Sequence, residues 1–329
     1  MTIGVLLINV GTPDGTDITS IRRYLSEFMS DYRVIDRKGL WWRFLLNRVI
    51  IPKRAPVTAA AYRAIWNHDR DESPLRTITR NQAEQVQAAL SGDHDIRVGW
   101  AMRYGSPAIA DTLHEMTGAG CDRLLIVPLY PQYAGATTGT VLDKVDEALR
   151  EEARQPALHV LPPYYATPAY VATLADTIRT HHAALTWQPQ TTILSFHGLP
   201  QHFIDQGDPY QSQCEATADL LRNTLNADAS AMPLAYQSRG GRAVWIGPGL
   251  EETLTRLAAD GIKDVSVVTP GFAADCVETL EEVAIRAREH FIAAGGRNFT
   301  TVPCLNDSPV SVGMLTALIR EELSALPVR

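Results

Sequence analysis

The sequence predicts an α/β protein made of two similar doubly wound halves, each around a central parallel sheet. Three observations lead to this fold class. Short apolar runs alternate with longer helix-like segments, the order expected of a parallel sheet covered on both faces. A length of 329 residues is about twice that of a typical domain. The third is a weak internal repeat. LINVGTP (Leu7 to Pro13) and LSFHGLP (Leu194 to Pro200) share Leu, Gly and Pro at equal spacing, each at the end of an apolar strand. MRYGSP (Met102 to Pro107) and YQSRGG (Tyr236 to Gly241) then each set an Arg near small residues after the next strand. Such self-similarity marks related halves with a seam near residues 150 to 170. The expected domains are residues 1–160, completed by a C-terminal helix over 308–329, and residues 161–307.

Taken in order, Ile3 to Asn9 is the first strand: it lacks a basic segment before it, contains Asn9 and ends in Gly-Thr-Pro, unlike a signal peptide. The stretch GLWWRFLLNRVIIP is broken by Arg43 and Arg48 and so reads as an amphipathic helix, short of the roughly 18 apolar residues of a membrane span. Gln82 to Leu90 is helical, followed by strands at Ile96 to Ala101 and Arg123 to Leu129. Helices at Thr140 to Arg150 and Tyr170 to Ala184 lead to the strand Thr192 to Phe196. Then helix and strand alternate: Glu215 to Leu225, Met232 to Ala235, Glu251 to Ala259, Val265 to Thr269, Glu278 to Ala294, Phe299 to Val302 and Val312 to Leu326.

A hydrophobic fraction of 45% and a charged fraction of 20% exclude disordered and collagen-like chains. The net charge of -7 argues against nucleic acid as a partner. Cys121, Cys214, Cys276 and Cys304 are widely spaced and form no CxxC pair, so neither a zinc ribbon nor a cluster motif is present, and a reduced cytoplasmic setting is expected.

His197 follows the apolar run TTILSF, which places it at a strand's carboxyl end, where open α/β sheets put their ligand crevice. A lone histidine there could simply bond its own HGLP turn. Two strands on, Asp275, Glu278, Glu281 and Glu282 crowd the start of a helix, with Glu278 and Glu282 four apart on one face. Acidic residues favour helix N-termini for electrostatic reasons alone. Together, an imidazole and carboxylates at strand ends in one half can form an acid/base pair or borderline metal ligands. There is no GxSxG elbow, and neither GxGxxG nor GxxxxGK[ST] occurs.

LLINVGTP, ESPL (Glu72 to Leu75), AMRYGSP, PLYPQYAGATTGT, SFHGLP, AYQSRGG and PGFAADCVETLEE, with LNDSP behind it, follow one another in this chain. In that order and over nearly the whole length, the chain resembles the ferrochelatases of bacterial type, the terminal enzymes of haem synthesis. The resemblance implies two Rossmann-like domains with a cleft between them and a lyase that inserts Fe(II) into protoporphyrin IX. It implies His197 and Glu278 as the metal-centre pair, Asp275 as a catalytic acid three residues before, and Glu282 continuing the acidic face as a further metal residue. Porphyrin contacts carry over to Arg54, Tyr62, Ser73, Arg103 and Tyr104. Fe(II) is then a substrate, with no permanently bound cofactor; the cysteine-bearing tail of animal relatives is not found, so no iron-sulfur cluster is expected. Two departures stand out: NHDRDESPL replaces a glycine run, and Cys276 in DCVE stands where a second imidazole is common.

Metallation requires the loss of two pyrrole protons, and bending the ring exposes its nitrogen lone pairs. His197 is the expected proton acceptor, and Glu278 removes charge or holds Fe(II). The apolar residues of 40–51, set among Arg43, Arg48, Lys53 and Arg54, suggest a lip resting on a membrane surface, which suits protoporphyrin better than coproporphyrin. The rival readings are a non-catalytic porphyrin or metal carrier, and a coproporphyrin or sirohydrochlorin chelatase. The protein is expected in the cytoplasm, peripherally at the inner face of the membrane.

Overall fold

Strand β1 (Thr2–Gly11) organises the first half of the chain because its middle, Val5 to Ile8, is apolar and buried on both faces. It pairs in parallel with β2 (Ile96–Tyr104) on one side and β3 (Cys121–Pro128) on the other, and β4 (Ala157–Val160) lies beyond β3, giving the order β2-β1-β3-β4. These coordinates are a computed structural model describing residues 2–37, 39–92, 95–153, 155–241 and 243–325. The chain divides into two units: Met1–Tyr130, Ala134–Pro162 and Asp307–Arg329 form one, and Pro131–Tyr133 and Pro163–Asn306 form the other.

In the first unit the sheet is covered by α1 (Ile18–Ser30), α2 (Leu40–Leu45), α3 (Ile51–Ile65), α4 (Pro74–Leu90), α5 (Ile109–Gly118) and α6 (Thr140–Leu149). Leu6 and Ile8 pack with Ala101, Leu113, Leu124, Ile126, Val141 and Val145 in one core. Helix α1 starts where Asp17 accepts hydrogen bonds from the N–H groups of Thr19 and Ser20, and it buries Ile21, Leu25 and Met29 at four-residue spacing. Helix α4 begins at Pro74, eight residues before the expected Gln82. Ser73 caps it and Pro74 takes the first helical position, where a missing N–H costs nothing. Helices α2 and α3 are joined by a π-wound turn, Leu46–Ile50, so GLWWRFLLNRVIIP is helical throughout from Leu40.

The second unit repeats the plan. Strand β5 (Thr191–His197) lies between β6 (Leu234–Gln237) and β7 (Asp264–Val268), with β8 (Asn298–Thr301) beyond β7, all parallel. Its order, β6-β5-β7-β8, is that of the first sheet shifted by four strands. Around it stand α7 (Pro168–Ala183), α8 (Gln201–Asp205), α9 (Tyr210–Leu225), α10 (Leu250–Ala259) and α11 (Arg288–Ala293). Ile193, Ala235, Leu254, Val265, Val267, Val283 and Phe291 form its core.

The single α-helix expected over Glu278 to Ala294 is corrected by the structure. Glu278–Ala287 is π-wound, and only Arg288–Ala293 is α-helical. The wider winding brings residues five apart together, and the Arg286 Nε accordingly donates to both Glu281 carboxylate oxygens at 3.0 and 2.9 Å. After the second unit the chain returns to the first as α12 (Pro309–Ala325). Arg320 donates to the Ala89 carbonyl at 2.7 Å, and Asn81 donates to Asp307 at 2.7 Å. Leu326, the expected end of this helix, and residues 327–329 lie outside the described residues. Among those described, no helix is long and apolar enough to cross a membrane.

Candidate active site

Strand β5 is buried from Thr191 to Phe196 and emerges at His197. Because its neighbours β6 and β7 lie on opposite sides, the chain leaves β5 at a topological switch point, the place where open α/β sheets bind ligands. The His197 Nδ1 lies 2.6 Å from the Gly198 carbonyl oxygen. A carbonyl only accepts, so Nδ1 carries a proton, and the neutral form of the ring has its lone pair on Nε2. The turn requires glycine at 198: a Cβ there would sit 2.7 Å from the main-chain oxygen of Gln237. The Phe272 ring stands 6.5 Å from the imidazole.

Glu278 opens the π-wound segment, two residues after the buried Cys276. Burial, reinforced by the negative charge of Glu278, pushes the Cys276 thiol well up, so it stays a thiol. The carboxylate of Asp275, 9% exposed, is engaged from two sides. Asn306 Nδ2 donates to it at 2.6 Å and Thr279 Oγ1 at 2.8 Å, while Asn306 Oδ1 accepts from the Asp275 N–H at 2.8 Å. This clamp holds the start of the segment. Glu282 accepts from the Ser238 N–H at 2.7 Å and from its hydroxyl at 2.6 Å.

The structure thus links His197 to Glu278 through their common neighbour Gln237 and leaves Glu282 on Ser238. Among the described residues no group of three or more His, Cys, Asp or Glu side chains is gathered as a metal-ligand set. Sequence reasoning singled out neither Gln237 nor Asn306, although AYQSRGG and LNDSP contain them. The available signal was a polar side chain directly after an apolar strand.

The expected porphyrin residues lie in the first unit. Arg103 is held by the Thr140 carbonyl at 2.9 Å and by Asp31, and its guanidinium lies 4.3 Å from the Tyr104 ring centroid. The buried Tyr104 hydroxyl donates to Asp31 at 2.9 Å, and burial pushes its ionisation far up. Arg103 borders a cavity of 580 Å³ also lined by Arg23, Glu27, Asp31, Lys144 and Glu147. Tyr62 is buried edge-on against Tyr24 and Trp66, and Ser73 is buried as the cap of α4. Arg54 is exposed on α3. In NHDRDESPL, Asn67 and Glu72 pair as a short antiparallel bridge, and Glu72 turns inward to Arg80 and to Thr77 at 2.7 Å.

Residues 2–323 match the ferrochelatase family model. Curated ferrochelatases of Rhizobium meliloti and Bradyrhizobium diazoefficiens are 48% and 47% identical over 321 residues, covering 98% of this chain and 95% and 93% of theirs. Among solved structures, SirB from Bacillus subtilis with Fe3+ aligns with a TM-score of 0.58 at 11% identity over 98% of this chain and 95% of its own. The multi-domain protein DR2241 of Deinococcus radiodurans aligns with a TM-score of 0.52 at 12% identity, over 96% of this chain and 54% of that one. At such identities these two likenesses concern the fold.

Proposed function

The chain belongs to the ferrochelatase family, and from that membership we propose that it is a lyase that inserts Fe(II) into protoporphyrin IX, giving protohaem and two protons as the last step of haem synthesis. Iron and porphyrin are both substrates. The reacting groups we assign are His197 and Glu278.

One observation carries the assignment: the bond from Nδ1–H to the Gly198 carbonyl, which leaves Nε2 as a base at the switch point of the second sheet. A pyrrole N–H proton passes to Nε2, and the imidazolium so formed keeps its Nδ1–H on the same carbonyl. The Glu278 carboxylate takes the second pyrrole proton, or it holds the incoming Fe(II) as an oxygen donor suited to a hard or borderline cation while that proton passes to water. Asp275, with its oxygens already occupied, fixes the start of the segment that presents Glu278. Distortion of the ring by its binding surface brings the pyrrole lone pairs out of plane, closer to the transition state than the flat ring. Arg54, exposed and cationic, is the one of the five expected porphyrin residues best placed to meet a propionate from solvent. The exposed apolar side of α2, with Leu40, Trp41 and Phe44 beside Arg43 and Arg48, supports a peripheral contact with an anionic membrane surface, from which an apolar-edged porphyrin would be taken.

The test is anaerobic incubation with protoporphyrin IX and Fe(II), following the loss of porphyrin fluorescence and the growth of haem absorbance. The protein turns over, and His197→Ala abolishes turnover while porphyrin binding stays within about tenfold. Turnover retained in His197→Ala removes the residue assignment. Stoichiometric binding without turnover by the parent protein makes it a carrier.

A further inference from the structure

Gln237 is the last residue of β6, lies directly opposite His197 in the sheet register and is 3% exposed. We infer that it is a positioning residue that sets Glu278 against His197, an inference that rests on assigning metallation to that pair.

Three of its polar groups are in use. The main-chain oxygen accepts from the Gly198 N–H at 2.7 Å, Oε1 accepts from the Ser195 hydroxyl at 2.8 Å, and Nε2 donates to the Glu278 carbonyl at 3.2 Å. The direction of this chain is fixed by chemistry. The Glu278 carbonyl can only accept, so the amide must turn its nitrogen towards it. Its oxygen then faces Ser195, whose fully buried hydroxyl has to donate. A flipped amide would set oxygen against oxygen, so one rotamer satisfies every group.

Gln237 therefore grips the chain on both sides of His197, at Ser195 through its side chain and at Gly198 through its main chain, and that side chain also grips the first carbonyl of the π-wound segment. A buried hydrogen-bond network of this kind is stiff, and stiffness is what holds two reacting groups at a fixed separation. The contact to Glu278 is made to its main chain, so it holds the root of the side chain and puts no restraint on the carboxylate.

The test separates the end of the chain that reaches Glu278 from the end that does not. Gln237→Glu keeps the length and the acceptor for Ser195 but replaces the donor to the carbonyl, and Gln237→Asn keeps the amide one methylene short. Ser195→Ala removes only the far end. In anaerobic steady-state assays with Fe(II) and protoporphyrin IX, both Gln237 variants lower kcat about tenfold or more, with KM for porphyrin within about twofold, and Ser195→Ala lowers kcat by less than about threefold. Thermal melts followed by circular dichroism report folding in parallel. Wild-type kcat in both Gln237 variants, or a kcat loss in Ser195→Ala equal to theirs, overturns the inference. His197→Ala and Glu278→Gln are measured alongside. Turnover in both overturns the site assignment on which the inference rests; inactivity in both beside an unimpaired Gln237→Glu overturns the positioning role alone.

Discussion

Glu72 is a carboxylate in a run of charges, NHDRDE, that reads in the sequence as a solvated loop, yet it is buried. Burial alone would raise its ionisation, but hydrogen bonds from Arg80 and Thr77 outweigh that effect and hold it below the ordinary carboxylate range. Glu72→Ala should remove the charge-assisted bonds to Arg80 and Thr77 and destabilise the protein by about 2 kcal/mol, the scale of such a bond lost in a half-buried site. Urea denaturation gives the number, and an unchanged midpoint would show that Arg80 finds water instead. His197 was legible in the sequence because a strand's end and a titratable residue are both local facts. Gln237, Asn306 and the inward turn of Glu72 were not, because their partners stand 41, 31 and 8 residues away and only the fold brings them together.

Among the elements, seven strands were legible as apolar runs. Strand β4 was missed: at the sheet edge, with Ala157 and Leu158 exposed, ALHV offers no continuous apolar run. Helices α1 and α5 carry the helical period in Ile21, Leu25, Met29 and in Ile109, Leu113, Met116, so their signal is present in the sequence. The π winding was invisible: Ser238, which bonds Glu282 within the segment, and Asn306, which bonds Asp275 just before it, come from elsewhere in the chain.

Helix α7 ends on His181 and His182, whose Nε2 atoms meet Thr300 Oγ1 at 2.8 Å and Ser266 Oγ at 3.0 Å. A helix C-terminus favours imidazolium, but burial prevails here and lowers both ionisations, for His182 with His181 adding repulsion. With the folded value below the unfolded one, the unfolded chain binds more protons between the two values. Stability from this pair is therefore fully present above about pH 6.5 and is lost as pH falls through the folded value. The double variant His181→Gln/His182→Gln should lose less stability than the parent between about pH 7 and pH 5, read from urea midpoints across that range. Parallel curves for the two proteins would contradict this.

At the scale of the whole molecule, the two sheets share one strand order, so β1 and β5 are equivalent, and so are the positions that end them. Val10 stands near the end of one where His197 ends the other, and the ionisable group belongs to the second unit alone. The first unit carries instead a cluster of exposed apolar side chains, Leu40 at 83% and Trp41 at 75%, with Trp41 stacked on Phe44 at 5.8 Å. If this face meets lipid, the protein floats with anionic liposomes at low salt and Trp41→Ser/Phe44→Ser weakens flotation about tenfold or more, since each large side chain is worth roughly 1.5–3 kcal/mol of burial. Equal flotation of the variant, or none by the parent, would leave these side chains without a lipid role.

The first unit is discontinuous in sequence: α12, which buries Val312, Leu315, Leu318 and Ile319, returns to it after the second unit is complete. On the ribosome this ordering imposes a delay. The strands of the first sheet are synthesised early and can pair, but the groups of α4 that meet Asp307 and Arg320 wait until more than 140 further residues, Pro163–Asn306, have emerged. The second unit is continuous apart from Pro131–Tyr133 and meets no such wait, so the half bearing His197 can be finished while the older half is still open to chaperones and proteases.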